Sequence, residues 1–339
     1  MKKKTIPYFS LIIFGILFTL TLGVLFNFIY KGILRNAGII DDGTDTAVFD
    51  KHYVMIVDGS YSEYWMDVYT SASEEAAEDN AYIELKRCDV DSEYTMIDLM
   101  NQSIYSDVDG IILQYTGEDG LSDKITEATE KNIPVVTLLN DAPESGRISY
   151  VGINAYSLGQ TYADMFTELM YDDQAADNIV FFLTDTDSGR NQEQIFTQAR
   201  AGILSSFASK KIINVSSVEV PANGLFGASE EIRKNFSYSE ECPDFVVCFD
   251  AATTDIVYQA LTDYNLLSQV KIIGYYKSET ILKAIEDEKI ISTLMLDTDE
   301  MGRYAAEALN DYKESGYSND YYSVSARFVK KGDPWLAQE

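Results

Sequence analysis

From His52 to Val329 the sequence alternates short apolar runs with stretches of helical periodicity, and this alternation leaves the chain few folds. The run "HYVMIV" (52–57) precedes residues 62–78, where Trp65, Val68, Tyr69 and Ala72 recur at the spacing of one helix face. "YIELKRC" (82–88) is followed by a helix over 93–105 that carries Met96, Leu99 and Met100. "GIILQY", a helix over 121–131, "IPVVTLL", "ISYVGIN" and a long helix over 156–170 complete a first series. A second series starts at "NIVFFLT" and proceeds through helices over 191–207, 228–236, 253–264 and 279–288. Its strands are "IINVSSVEV", "DFVVCF", "VKIIGYY" and "ISTLML"; a helix over 300–312 and the closing run "YSVSARFV" end the pattern. Such alternation predicts parallel strands with helices on both faces, because each return helix brings the next strand back to the same end of the sheet. A chain of 339 residues exceeds one ordinary core. Two sheets of about five or six strands each suit it better than one very wide sheet. Ligands of such sheets sit outside the carboxyl ends of the strands. The pair Tyr64-Trp65 follows the first strand at such an end, where it could plug a core or meet a ligand.

The residue inventory removes most chemistry. With a single histidine, His52, neither a Ser-His-Asp nor a Cys-His nucleophile nor an HExxH zinc site can be assembled. No GxxxxGK[ST] loop and no GxGxxG after a strand is present, so there is no nucleotide fingerprint. "DTDSGRNQEQ" (185–194) has a faint likeness to a calcium loop but lacks the third acidic position and the closing glutamate. It reads as a solvated loop. Asp297, Asp299 and Glu300 in "LDTDE" read as helix-capping acids rather than metal ligands. No catalytic residue, metal or cofactor is expected. A net charge of −29 and a pI of about 4.2 argue against nucleic acid, which needs a basic footprint. The three cysteines, Cys88, Cys242 and Cys248, form no disulfide framework, and Cys88 and Cys248 read as buried apolar residues at strand ends.

The N-terminus has a different character. After "MKKK", residues 6–30 form a run of 25 uncharged, mostly apolar residues. About 20 suffice to span a bilayer. A cleaved signal peptide would have a shorter apolar core and a small-residue cleavage site, which "KGILRNAGII" does not supply. The expectation is an uncleaved signal anchor over 6–30 with residues 1–5 inside, since Lys2, Lys3 and Lys4 favour the cytoplasmic side. An acidic linker over 31–51 would then lead to an extracytoplasmic domain, in a single-pass protein of the cell membrane.

Three segments carry a family likeness: "GIILQYTGEDGLSDKITEATEKNIPVVTL", "YVGINAYSLGQTYADMF" and "VKIIGYYKSETILKAIEDEKIISTLMLDTDEMG". With the order of elements, they make the chain from about Tyr53 to Lys330 resemble the type I periplasmic-binding-protein family, in its sugar-binding, ribose- and xylose-binding-like branch. The resemblance implies two Rossmann-like lobes joined by three crossings, one over 52–154 plus 297–324 and the other over 155–296 plus 325–332. It also implies a ligand held in the cleft between them. The family stacks its sugar on an aromatic pair after the first strand, a place held here by Tyr64 and Trp65. Its Asp-Arg pair after the fourth strand becomes Leu139-Asn140, and its Asp-Asn at the first crossing becomes Asn154-Ala155. Its arginine before the long helix falls near Thr197, with Arg190 and Arg200 as possible substitutes. Its Asn-Asp becomes Asp250-Ala251, its next aspartate Tyr276, and its glutamine Leu296. Tyr64, Trp65, Asn140, Thr197, Asp250 and Tyr276 are therefore the expected ligand-binding residues. Trp65 also lies on an apolar helix face, so a core role stays open for it.

Few of the family's polar grips are retained, and each charged hydrogen bond lost costs about 1.5–3 kcal/mol. The implied ligand is small, neutral and sugar-like. Family members with an uncleaved helix report to a sensor histidine kinase, and others deliver ligand to an ABC permease. The expectation is a sensor subunit for a two-component histidine kinase, with the substrate-binding component of an ABC sugar transporter as the alternative. A repressor of the same fold would need a DNA-binding helix-turn-helix where the apolar run stands, and an enzyme would need chemistry the chain lacks.

Overall fold

The computed structural model describes residues 49–58, 62–88, 94–170, 178–185, 189–208, 212–221, 225–237 and 242–334. The expected anchor over 6–30, the tip before it and all but the end of the linker lie outside the described residues. No described helix is long and apolar enough to cross a membrane.

Among the described residues, twelve strands form two six-stranded sheets, one in each of two α/β lobes. The first lobe contains β1 (Lys51–Asp58), α1 (Ser62–Glu78), β2 (Ala81–Cys88), α2 (Met96–Tyr105), β3 (Gly110–Gln114), α3 (Leu121–Glu130), β4 (Val135–Leu138) and β5 (Ser149–Gly152). The second contains α4 (Ala155–Leu169), β6 (Asn178–Asp185), α5 (Gly189–Phe207), β7 (Asn214–Pro221), α6 (Leu225–Ser237), β8 (Phe245–Cys248), α7 (Ala251–Asp263), β9 (Lys271–Tyr275), α8 (Glu279–Glu286) and β10 (Ile290–Leu296). The chain then returns to the first lobe as α9 (Thr298–Ser315) and β11 (Tyr321–Ser323) and ends in the second as β12 (Ala326–Val329). The strand orders are β11-β5-β4-β3-β1-β2 and β12-β10-β9-β8-β6-β7, parallel throughout except for β12. The closing run "YSVSARFV", read as one strand, is two: the chain bends at Val324-Ser325 between one sheet and the other.

Burial follows the parallel arrangement. Residues Tyr53 to Val57 of β1 are all buried, as a strand covered on both faces demands. In α1 the stripe Trp65, Val68, Ala72 and Ala76 faces the core. Cys248 is fully buried at the end of β8, but Cys88, expected to be buried, is only half-covered on the edge strand β2, and its thiol faces the Tyr94 carbonyl at 3.0 Å.

Each lobe joins two helices at a glycine. A Cβ at Gly302 of α9 would stand 2.3 Å from the Val68 carbonyl oxygen and 2.7 Å from the Ala72 nitrogen. A Cβ at Gly159 of α4 would stand 2.4 Å from Gln198 Cβ and 2.9 Å from the Ile195 oxygen of α5. Only glycine admits backbones this close. Both glycines fall in the opening turns of helices that follow a crossing between lobes.

The three crossings are stapled together by backbone groups. Val324 N donates to Gly152 O at 2.8 Å, and Asp297 N donates to Ser325 O at 2.9 Å. Ser325 N donates to Glu300 Oε2 at 2.7 Å. Asp297 caps α9, its Oδ1 accepting from Glu300 N at 2.9 Å. The acids of "LDTDE" thus start a helix and fix a hinge.

Candidate functional site

Parallel strands of both lobes direct their carboxyl ends toward the space between the sheets, and two chain reversals there use left-handed backbone. Leu139 (φ 65°) follows β4 and Tyr276 (φ 58°) follows β9. For a residue with a Cβ this region costs about 1–2 kcal/mol. Both are clamped. Leu139 N donates to Val151 O at 3.0 Å, and Tyr276 N donates to Leu294 O at 2.7 Å. Thr293 Oγ1 donates to Tyr276 O at 2.7 Å.

Tyr276 projects from the second lobe into the first. Its ring meets Tyr64 edge-to-face, with centroids 4.7 Å apart. Its hydroxyl donates to Asp67 Oδ2 at 2.8 Å, and Lys277 Nζ lies 3.1 Å from the same oxygen. Tyr64 in turn meets Trp65 edge-to-face at 4.8 Å and points its hydroxyl at Met301 Sδ, 3.1 Å away. Burial pushes the Tyr64 phenol well up, and the neighbouring Tyr275, Tyr276 and Tyr150 add to it. Tyrosines of both lobes therefore meet where the cleft closes.

A cavity of about 730 Å³ is bounded by the segments after β3, β4 and β5 and by the first turns of α5. Among the described residues four amide side chains line it: Asn140, Asn154, Asn191 and Gln194. Tyr115, Tyr150 and Tyr321 supply flat apolar faces, the last two stacked at 5.3 Å. Asn191 Nδ2 donates across the lobes to Leu139 O at 3.2 Å, which also accepts from the Tyr150 hydroxyl at 2.9 Å. Asn140 Nδ2 donates to Tyr115 O at 3.0 Å. Among the described lining residues one carries a guanidinium, Arg147; its side chain is only 5% exposed and is committed to Asp141 and Asp320. Burial opposes its charge, but the hydrogen bonds to those two carboxylates outweigh burial and hold it protonated.

The expected binding residues separate on this geometry. Asn140 lines the cavity. Tyr64 and Tyr276 come together across the lobes, but against each other and buried to 5% and 3% exposure. Trp65, expected on the ligand platform, is a core residue at 1% exposure, because it belongs to the apolar stripe of α1. Its Nε1 has no hydrogen-bond partner. Asp250, expected opposite the aromatics, is instead the N-cap of α7. It accepts from Thr253 N at 2.6 Å, and from the hydroxyls of Thr253 and Thr184 at 2.8 Å each. Thr197, expected in the cleft, is exposed on α5, as is Arg200. The helix starts at Gly189, so its first turns, with Asn191 and Gln194, reach the cavity. Leu296 is buried, and Asn154 caps α4 through a 3.0 Å bond from Ser157 N. Asn191 and Gln194 are not among the expected binding residues. The signal that points to them is polar residues three apart in the opening of the helix that follows a strand's carboxyl end.

The sequence pattern of the "Periplasmic binding protein domain" family matches residues 53–316. No protein with a curated description matches the chain. Solved structures share its fold. GanP, a glucose-galactose binding protein from Geobacillus stearothermophilus, is 20% identical with a TM-score of 0.70, covering 84% of this chain and 98% of its own. XylFII is 22% identical with a TM-score of 0.67, covering 83% of this chain and 99% of its own. The XylFII–LytSN complex gives 23% and 0.67, with coverages of 84% and 99%.

Proposed function

Because the chain belongs to the periplasmic binding protein domain family, we propose that it is an extracytoplasmic solute-binding protein for a small, neutral, sugar-like ligand. The observation that carries this reading is the lining of the cavity between the lobes. Its volume, about 730 Å³, is that of a small-molecule pocket. Amides donate and accept alike, which suits hydroxyl groups, and tyrosine faces suit a sugar ring. An anionic ligand would need a free cation, and among the described lining residues the guanidinium is already held by two carboxylates. GanP is described as a glucose-galactose binding protein, which supports the same class.

Residues 6–30 anchor the protein in the membrane with the lobes outside, on the length and uncharged character of that run. Within this reading the protein acts as a sensor subunit for a histidine kinase. An anchored binding protein has no need to diffuse to a permease, and XylFII, of the same fold, forms a complex with LytSN. Delivery to an ABC permease is the second reading, favoured by the ribose and other sugar transport proteins that share the fold.

The test is a panel of pentoses, hexoses and polyols against the full chain, read by thermal shift and calorimetry. One neutral member should raise the melting temperature. Asn140→Ala and Gln194→Ala should weaken its binding while the free protein melts near normally. A panel without any response, or a response confined to charged ligands, refutes the ligand class. Affinity isolation from membranes should then recover a histidine kinase; recovery of a permease with its ATPase carries the transport reading.

A further inference from the structure

We propose that Tyr276 is a built-in tether across the cleft: packed on Tyr64 and bonded to Asp67, it holds the two lobes closed without ligand. The proposal rests on the reading of the inter-lobe space as the binding site. The ring of Tyr276 meets that of Tyr64, the aromatic of the first lobe that faces the second, edge-to-face at a centroid distance of 4.7 Å. Such a contact is what a bound ring would make with that face. Its hydroxyl meets Asp67 as a ligand hydroxyl would, at 2.8 Å. The next residue, Lys277, closes on the same carboxylate at 3.1 Å. Two consecutive residues of one lobe thus grip a single side chain of the other.

The backbone is shaped for this reach. At Tyr276 the chain leaves β9 through the left-handed region, at φ 58°, and both its N–H and its carbonyl are tied to β10, to Leu294 and Thr293. A bulky residue held in that region is strained unless its surroundings enforce it. Here the side chain that makes the strain costly is also the one that bridges the lobes. Closure of a two-lobed binding protein ordinarily needs the differential contacts that a ligand supplies. In this chain a tyrosine and an ion pair of its own supply them.

The test is a distance measurement on the full chain without ligand. Spin labels are placed on the exposed rims of the two lobes, at Asp119→Cys and Glu279→Cys, with Cys88 and Cys242 changed to serine. The unaltered cleft should give one short distance. Tyr276→Gly, which suits the left-handed backbone, should shift the population to longer distances, and p-cresol, the side chain as a free molecule, should return it. Asp67→Asn with Lys277→Met removes the polar grip, leaves the backbone of Tyr276 untouched, and should lengthen the distance as well. A wild-type cleft that is already open, or the short distance retained in both variants, overturns the proposal. No sugar enters this measurement, so its failure is separable from a failure of the sugar reading.

Discussion

The hydroxyl of Tyr276 and the carboxylate of Asp67, 209 residues apart in sequence, share a hydrogen bond of 2.8 Å across the two lobes. Tyr276→Phe keeps the edge-to-face contact with Tyr64 and deletes this bond. A hydrogen bond to a charged group contributes about 1.5–3 kcal/mol. Lys277 still pairs with Asp67 in the variant, so the expected loss is about 1–2 kcal/mol. Urea denaturation of the two proteins measures it, and equal stabilities would show that the bond carries nothing.

Trp65 fills the seam between α1 and the sheet at 1% exposure. Trp65→Ala is expected to cost about 3–5 kcal/mol, as other buried aromatics do. Trp65→Phe should cost less than half of that. It leaves a smaller cavity and also removes an indole N–H that has no partner among the described residues, a penalty of about 1–3 kcal/mol. A phenylalanine variant as unstable as the alanine one would mean that the N–H is satisfied in solution.

Gly302 and Gly159 let paired helices touch at their backbones. Gly302→Ala drives a methyl against the Val68 carbonyl and the Ala72 nitrogen. Main-chain atoms cannot swing aside as side chains do, so a loss of about 3 kcal/mol or more is expected, at the upper end of overpacking costs. Gly316→Ala is the informative contrast. Nothing lies within 4 Å of its added Cβ, and only the left-handed φ of 74° opposes it, at about 1–2 kcal/mol. Thermal melts that rank the two variants the other way would contradict the helix contact.

Asp255 titrates above its ordinary value. Burial raises it, the hydrogen bond from Ser278 opposes the rise, and Asp250 adds to it. A folded-state value raised above the unfolded one means that the stabilising, neutral form is fully present below the unfolded value. Its contribution is lost as pH rises through the folded value. Asp255→Asn carries no charge at any pH. It should therefore be more stable than the wild type at pH 7, and the gap should close as pH falls toward about 4, the ordinary aspartate range. Denaturation curves at the two pH values give the sign, and a gap that widens on acidification refutes the assignment.

The alternation of apolar runs and helical faces determined the parallel α/β architecture by itself, because period and burial are local properties that a strand or helix shows in its own residues. Caps were legible for the same reason: Asp297 satisfies the N–H of Glu300, three residues on. What a given polar or aromatic residue does at a strand end was decided only by the tertiary structure. Trp65 and Tyr64 are neighbours in sequence, yet successive helix positions differ by about 100°, so one turns into the core while the other meets Tyr276. Asp250 has the charge of a ligand group, but its oxygens were claimed by Thr253 and Thr184 once β6 and β8 came together. Asn191 and Gln194 became cavity residues because the start of α5 lies against the segments of the first lobe after β4 and β5. Such juxtapositions depend on how two sheets from distant parts of the chain approach each other, and no window of sequence contains that distance.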